Sequence, residues 1–286
     1  MPQKICICGA GTMGSGIAQV AAQSGFNTIL YDVSEEYLSK AKSKIKKDLQ
    51  TLVEKNKISS AEKGTISNKL FFTNNIKDCV ADIIIEAIIE KPEAKTELFD
   101  HLSKMNSAQT IFATNTSSLS VTEIAKTITH PEKFIGMHFF NPAPIMKLVE
   151  VVNTNFTNEN TTQTIIELAK KFGKTPVLCK DAPGFIVNHV ARPYYLEALK
   201  LIEQGISDLN TIDLLMEASG FKMGPFRLMD LIGNDINYAV SCSVYEAMNK
   251  PERLKPSSIQ KERVEKNELG KKTGKGYYPY PLKGDM

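Results

Sequence analysis

The run Lys4-Ile5-Cys6-Ile7-Cys8, followed at once by Gly9-Ala10-Gly11-Thr12-Met13-Gly14, constrains this chain more than any other stretch. A short apolar strand should end at Cys8, and the chain should turn on Gly9. Gly11, lacking a Cβ, should let a pyrophosphate approach the first amides of a helix that starts near Thr12, and Gly14 should let that helix lie close to the strand. A bare G-x-G-x-x-G says little, so its context decides. Ile17, Val20 and Ala21 continue an apolar helical face, Gly25 closes the helix, and Thr28-Ile29-Leu30-Tyr31 forms a second strand ending in Asp32. Asp32 lies twenty-one residues beyond Gly11, where a dinucleotide fingerprint places its ribose-binding acid. Gly9, Gly11, Thr12, Met13, Gly14 and Asp32 are therefore candidate cofactor contacts.

Beyond Asp32 the helical and strand periods keep alternating. Ser34 can cap a helix through Tyr37, Leu38, Ala41, Ile45, Leu49, Leu52 and Val53, unusually long for a crossover, and a second helical stretch spans 60–70. Lys40, Lys42, Lys44, Lys46 and Lys47 occupy the other face of the long helix, followed by Lys55 and Lys57. Such a row is either a solvated face or a landing strip for a polyanion. Strands are expected over 70–73, 81–87 and 110–114, the second a continuous apolar run of the kind a doubly covered parallel strand shows. Pro92 opens the helix between the last two. The strand at 110–114 delivers Asn115-Thr116-Ser117-Ser118 at its carboxyl end, the edge where ligands sit in open α/β sheets.

Two further strands, 133–140 and 146–152, are joined by Asn141-Pro142-Ala143-Pro144, whose prolines exclude helix. An antiparallel hairpin centred near Ala143 would pair His138 near Leu148 and make Glu150 a diagonal neighbour on the same face. An imidazole with a carboxylate on its own face, beside a dinucleotide site, suits acid/base work. A helix over 160–172 and a strand over 174–178 complete a first domain. Asp181-Ala182-Pro183-Gly184 is the natural boundary, placing a dinucleotide-binding domain at 1–183 and a helical domain at 184–286. The second domain reads as helices over 185–203, 207–218, 225–231 and 234–248, with one short strand at Gly276-Tyr277-Tyr278. The fold class is α/β: a Rossmann-type, mostly parallel sheet with a helical excursion after its second strand, followed by an all-α domain.

Composition narrows the partners. With 35 basic and 32 acidic residues the net charge is +3, too weak a field to imply nucleic acid. The 5 cysteines (Cys6, Cys8, Cys79, Cys179, Cys242) are scattered without the paired spacings of a zinc site or a disulfide framework, so no metal is expected. Cys6 and Cys8 read as small apolar core on a buried strand. No apolar run approaches membrane-spanning length, and a first strand at Lys4 leads us to expect neither signal nor transit peptide and a cytoplasmic location.

Taken together, several stretches resemble the L-3-hydroxyacyl-CoA dehydrogenases, and within them the short bacterial 3-hydroxybutyryl-CoA dehydrogenases. They are Gly9 to Ala18, Asn115-Thr116-Ser117-Ser118-Leu119, His138-Phe139-Phe140-Asn141-Pro142, Leu148-Val149-Glu150-Val151-Val152, Pro183-Gly184-Phe185-Ile186-Val187-Asn188 and Lys272-Thr273-Gly274-Lys275-Gly276-Tyr277. The resemblance implies NAD as cofactor and an acyl-CoA substrate. It also implies His138 as general acid/base, Glu150 as its orienter, and Ser117 and Asn188 as substrate-holding residues. Glu90, Lys95, Asn115 and Asn141 would join Asp32 around NAD, and a homodimer would form through the helical domain. Where the family usually has a basic residue, commonly arginine, after that asparagine, this chain has His189.

The residue types suit the chemistry without the family. Oxidising a secondary alcohol needs a proton taken from oxygen as hydride leaves carbon, and an imidazole can take it. A carboxylate on the other ring nitrogen fixes the tautomer and stabilises the imidazolium. Ser117 and Asn188 can donate hydrogen bonds to the oxyanion. Related hydroxyacid dehydrogenases that use a lysine base fit the His138 and Glu150 pair poorly. A relative acting on a free sugar acid, or a catalytically silent nucleotide-binding protein, are the competing readings. If the substrate is a CoA ester, Lys55 and Lys57, where the chain must turn back after the long helix, are better candidates for its 3′-phosphate than Lys40 to Lys47.

Overall fold

A computed structural model describes residues 3–281. The chain separates between Ala182 and Pro183 into two units. In the first, β1 (Lys4–Cys8) runs between β2 (Asn27–Tyr31) and β4 (Ile83–Glu86), parallel to both. β3 (Leu70–Thr73), β5 (Ile111–Thr114), β6 (Phe134–Phe139), β7 (Leu148–Asn153) and β8 (Thr175–Lys180) complete an eight-stranded sheet in the order β3-β2-β1-β4-β5-β6-β7-β8. β7 runs antiparallel to β6, and β8 is parallel to β7. Strand order reverses at β1, so the crevice at its carboxyl end is the topological switch point where such sheets take ligands.

Side-chain alternation divides the sheet into two faces. Ile5 and Ile7 point to the side covered by α1 (Thr12–Gln23), where Ile17, Val20 and Ala21 are buried against them. Each aliphatic side chain buried this fully contributes about 1.5–3 kcal/mol. Cys6 and Cys8 point the other way, into a layer closed partly by α4 (Pro92–Met105), whose Phe99 meets Phe112 and Phe134 edge-on. Cys79, seventy-one residues beyond Cys8, lies in the same layer. The cysteines expected to be scattered are thus partly gathered by the β3–β4 connection.

The excursion after β2 is α2 (Glu35–Glu54) and α3 (Ser60–Asn68). Ser34 caps α2 by accepting from Tyr37 N, and Leu38, Ala41, Ile45 and Leu49 bury one stripe of it. Ser59 and Glu62 form a reciprocal capping box at the start of α3. α5 (Val121–Ala125) follows β5, and α6 (Glu159–Lys171), capped by Asn158, leads into β8.

The second unit holds α7 (Val187–Glu203), α8 (Leu209–Ala218), α9 (Pro225–Ile232), α10 (Asn234–Ala247) and α11 (Ser258–Glu265). Two expectations are corrected here. α7 begins at Val187 rather than residue 185, because Gly184 (φ 72°) and Phe185 (φ 49°) form a left-handed turn that no helix can include. The segment 276–278 is not a strand with a partner strand. Its Tyr277 and Tyr278 N–H groups donate to the buried Asp230 carboxylate at 2.9 and 3.0 Å, leaving only isolated bridges nearby. α11 lies outside the expected helices because Ser258–Glu265 carries no apolar stripe: Gln260 is its one buried residue and donates to Asn237 Oδ1.

Candidate active site

Gly9 has φ 106°, and a Cβ there would lie 2.5 Å from Ala87 O. Gly14 tolerates none either, since its Cβ would fall 1.7 Å from Gly9 O, where α1 presses on the turn. Around Gly11 a Cβ would meet nothing within 4 Å. The space is therefore open where a pyrophosphate would approach the first turn of α1 at Thr12 and Met13, and the residues present fit a dinucleotide. Asp32, at the end of β2, accepts from Ala10 N (2.7 Å) through one carboxylate oxygen and from Ser34 N (2.9 Å) through the other. Its remaining lone pairs are what a ribose diol could use.

At the neighbouring strand ends lies a buried charge network that joins Glu86 to the expected Glu90 and Lys95. Lys95, 1% exposed, donates to Glu86 Oε1 at 2.6 Å and pairs with Glu90 Oε2 at 3.1 Å. It touches two carboxylates rather than standing in solvent beside a ligand. Glu86 also accepts from Thr114 Oγ1 (2.6 Å) and Ile88 N (2.7 Å). Burial nonetheless raises the Glu86 carboxyl above the usual range, with the Lys95 charge and these bonds only partly offsetting it. At Glu90 burial acts the same way, but there Lys95 and the bonds from Thr116 and Ser117 win and hold the carboxyl low. Glu90 Oε1 takes Thr116 Oγ1 at 2.6 Å and Ser117 N at 2.8 Å, which fixes the turn bearing Ser117. The sequence signal for Glu86 is an acid closing the buried apolar run 81–87 at its carboxyl edge.

His138 and Glu150 face each other directly in the β6–β7 ladder, with Nδ1 and Oε2 2.7 Å apart. This corrects the expected pairing of His138 near Leu148. Ile145 N and Met146 N both donate to Pro142 O, so the connection contains a compact turn that moves the hairpin's midpoint from Ala143 to Pro144. Loop geometry sets register, and one residue at the midpoint shifts each pairing by two. Both residues are buried, His138 at 6% and Glu150 at 0% exposure over the whole residue. Cys179 lies near Glu150; burial first, then Glu150 and Asp181, push its thiol up to about 11, so that neighbour stays neutral.

Two tethers hold this hairpin against the dinucleotide loop. Asn115 Oδ1 accepts from Phe139 N at 2.8 Å, tying the end of β5 to the strand that carries His138. Gly16 of α1 would, with a Cβ, come within 3.1 Å of Pro144 and 3.2 Å of Ala143, so the 141–144 connection rests on the cofactor-side helix. Asn141, exposed and followed by a cis peptide bond to Pro142, stands at that junction. The Lys174 ammonium donates to Ala143 O and, at 2.8 Å, to Met146 O.

Asn188 belongs to the second unit, in the first turn of α7, where its carbonyl accepts from Arg192 Nε at 3.1 Å. His189, in the place of the family's basic residue, has Nδ1 3.2 Å from Pro183 O and closes the turn. Lys55 and Lys57 sit at the exposed α2–α3 tip, beside Asn56 with φ 54°. Among the described residues neither forms an ion pair, whereas Lys40 pairs with Glu36 and Lys44 with Asp48 within α2.

Family models match both units of the chain. The model described as "3-hydroxyacyl-CoA dehydrogenase, NAD binding domain" matches residues 4–182, and "3-hydroxyacyl-CoA dehydrogenase, C-terminal domain" matches 184–280. A 3-hydroxyadipyl-CoA dehydrogenase of Escherichia coli is 44% identical over 97% of this chain, which spans 59% of that relative's length. A probable 3-hydroxybutyryl-CoA dehydrogenase of Deinococcus radiodurans is 38% identical over 97% of this chain and 100% of its own. The crystal structure of (S)-3-hydroxybutyryl-CoA dehydrogenase from Ralstonia eutropha superposes with a TM-score of 0.93 at 34% identity, covering 98% of this chain and 100% of that one.

Proposed function

The chain belongs to the 3-hydroxyacyl-CoA dehydrogenase family, and from that premise we propose that it interconverts an (S)-3-hydroxyacyl-CoA, 3-hydroxybutyryl-CoA foremost, and the corresponding 3-ketoacyl-CoA with NAD. The observation that carries the reading is the buried His138 to Glu150 contact of 2.7 Å, on a hairpin that rests on the dinucleotide-binding helix. In the oxidative direction His138 Nε2 takes the hydroxyl proton. Glu150 Oε2, accepting from Nδ1–H, keeps the proton off Nε2 beforehand and stabilises the imidazolium afterwards. Bound NAD supplies the hydride acceptor. Ser117 donates to the substrate oxygen, with Glu90 holding its turn in place, and Asn188 is assigned a substrate-holding role on the family motif alone. Gly9, Gly11, Thr12, Met13, Gly14, Asp32, Asn115 and Asn141 hold the cofactor, and Lys95 acts on that site through Glu90.

Lys55 and Lys57 suit the nucleotide phosphate of coenzyme A, since they are the helical-excursion lysines left exposed at its tip. A homodimer through the second unit is supported by the exposed Leu214, Leu215, Phe221, Leu231 and Ile236 on and around α8 to α10. Among the described residues no helix is long and apolar enough to cross a membrane. The deciding assay follows nicotinamide absorbance with acetoacetyl-CoA and NADH, then with 3-hydroxybutyryl-CoA and NAD. Turnover in both directions, lost by roughly two to four orders of magnitude in His138→Gln with NADH affinity kept, is the expected result. Absence of turnover in both directions overturns the assignment.

A further inference from the structure

We propose that Cys6, Cys8 and Cys79 form a buried three-coordinate site for a soft monovalent metal ion, Cu(I). Neither the dehydrogenase reaction nor the cofactor uses these thiols. Cys6 and Cys8 are alternate residues of β1, so their side chains share one face of the sheet, with Sγ atoms 3.9 Å apart. Cys79 follows the short 3-10 turn Ile76–Asp78 and brings a third Sγ into a group whose atoms all lie within 4.8 Å of one another. All three side chains are 0% exposed.

The arrangement is held before any ion arrives. β1 is pinned on both sides by parallel ladders to β2 and β4. The Cys79 N–H donates to Ile76 O at 3.0 Å, and its carbonyl accepts from Asn106 Nδ2 at 2.9 Å, which anchors the turn to the end of α4. A preformed thiol group of this kind gives up little backbone freedom on binding.

The separation fits three-coordination, and the donor set selects the ion. With a metal–sulfur bond of about 2.3 Å, sulfurs around a planar three-coordinate ion stand √3 times that apart, about 4.0 Å. The Cys6–Cys8 pair is already at 3.9 Å, and 4.8 Å is the upper bound on the other two, so closure needs under about 1 Å of movement. The ion occupies the interstice among sulfurs nearly in contact and requires no separate cavity. Structural zinc asks for a fourth donor. Among the described residues no His, Asp or Glu atom joins the three sulfurs. Thiolate softness and low coordination number together favour Cu(I). No electron changes hands: copper enters and remains Cu(I), and each thiol that ligates releases its proton to solvent.

The test titrates the full-length chain, without oxygen, against Cu(I) held as its bicinchoninate complex. The expected result is withdrawal of one copper per chain, X-ray absorption with three sulfurs in a single shell, and protection of Cys6, Cys8 and Cys79 from alkylation when peptides are mapped by mass. Cys79→Ala and Cys6→Val should abolish the withdrawal, while a Cys179→Ser, Cys242→Ser double variant should retain it. The wild-type sulfur count and the alkylation map stand on their own if a core variant fails to fold. Failure to take copper from the probe, a two-sulfur shell, protection of a different set of cysteines, or full binding by a folded Cys79→Ala variant each overturns the assignment.

Discussion

Replacing Glu150 by Gln removes a charge from His138 while keeping a hydrogen-bond acceptor of the same shape. The contact is 2.7 Å between Nδ1 and Oε2, and both charges are spread over several atoms, so their centres stand about 4 Å apart. At an effective dielectric of about 20 that separation corresponds to about 4 kcal/mol between imidazolium and carboxylate. The side chains are only 8% and 1% exposed, so solvent screening takes little from this figure. Four kcal/mol is about three decades of rate at about 1.36 kcal/mol each. The amide oxygen still accepts from Nδ1–H and recovers part, so kcat should fall about 10²- to 10³-fold with KM for acetoacetyl-CoA little changed. Glu150→Ala, which removes the acceptor as well, should lose more activity and about 1–3 kcal/mol of stability. Steady-state kinetics at saturating NADH, with thermal melts of each variant, make the measurement. A Gln variant with more than half of wild-type kcat would refute the idea that this carboxylate stabilises the charge formed on His138.

Asp32 already spends an acceptor site on each of Ala10 N and Ser34 N, and Val33, Ser34 and Glu35 offer no cation, so NADH should exceed NADPH in kcat/KM by about 10²-fold; equal values would refute this. A Lys55→Ala, Lys57→Ala variant should lose kcat/KM for acetoacetyl-CoA, more at low salt than high, and leave a truncated pantetheine thioester nearly unaffected; equal losses on both would remove these lysines from nucleotide recognition. Lys95→Met breaks a pair whose side chains are 1% and 0% exposed and should cost about 3–5 kcal/mol at neutral pH. The sign of its pH dependence follows from Glu86: burial raises this carboxyl, so the folded variant takes up a proton more readily than the unfolded chain, and stability should recover as pH falls from 7 towards 5. In wild type the two carboxyls oppose each other: Glu86, raised, gains as pH falls, whereas Glu90, held low, loses its contribution as pH falls through its folded value, so the variant should recover relative to wild type. Parallel denaturation midpoints across that range would count against the network.

Part of this protein is written in signals that act over a few residues. The strand, the left-handed turn at Gly9, the helix from Thr12 and the acid at Asp32 follow from chain geometry and side-chain period, and Ser34 and Pro92 mark the helix starts. His138 and Glu150 could be assigned to one face of a hairpin because alternation in strands is strictly two. Their direct pairing depended on how tightly 142–146 turns, and a proline-rich connection admits more than one midpoint. Glu86 and Lys95 show the larger gap. Nothing local distinguishes a carboxylate that ends a strand in water from one buried at the switch point, and only the packing of α4 onto the sheet supplies the ammonium that lets Glu86 be there. Gln260 in α11 and the Tyr277 and Tyr278 amides are likewise satisfied by residues far along the chain, with no periodic pattern to announce them. Cys79 meets Cys6 and Cys8 for the same reason: residues some seventy positions apart are brought together by strand order, a property of the whole sheet that no short window of sequence contains.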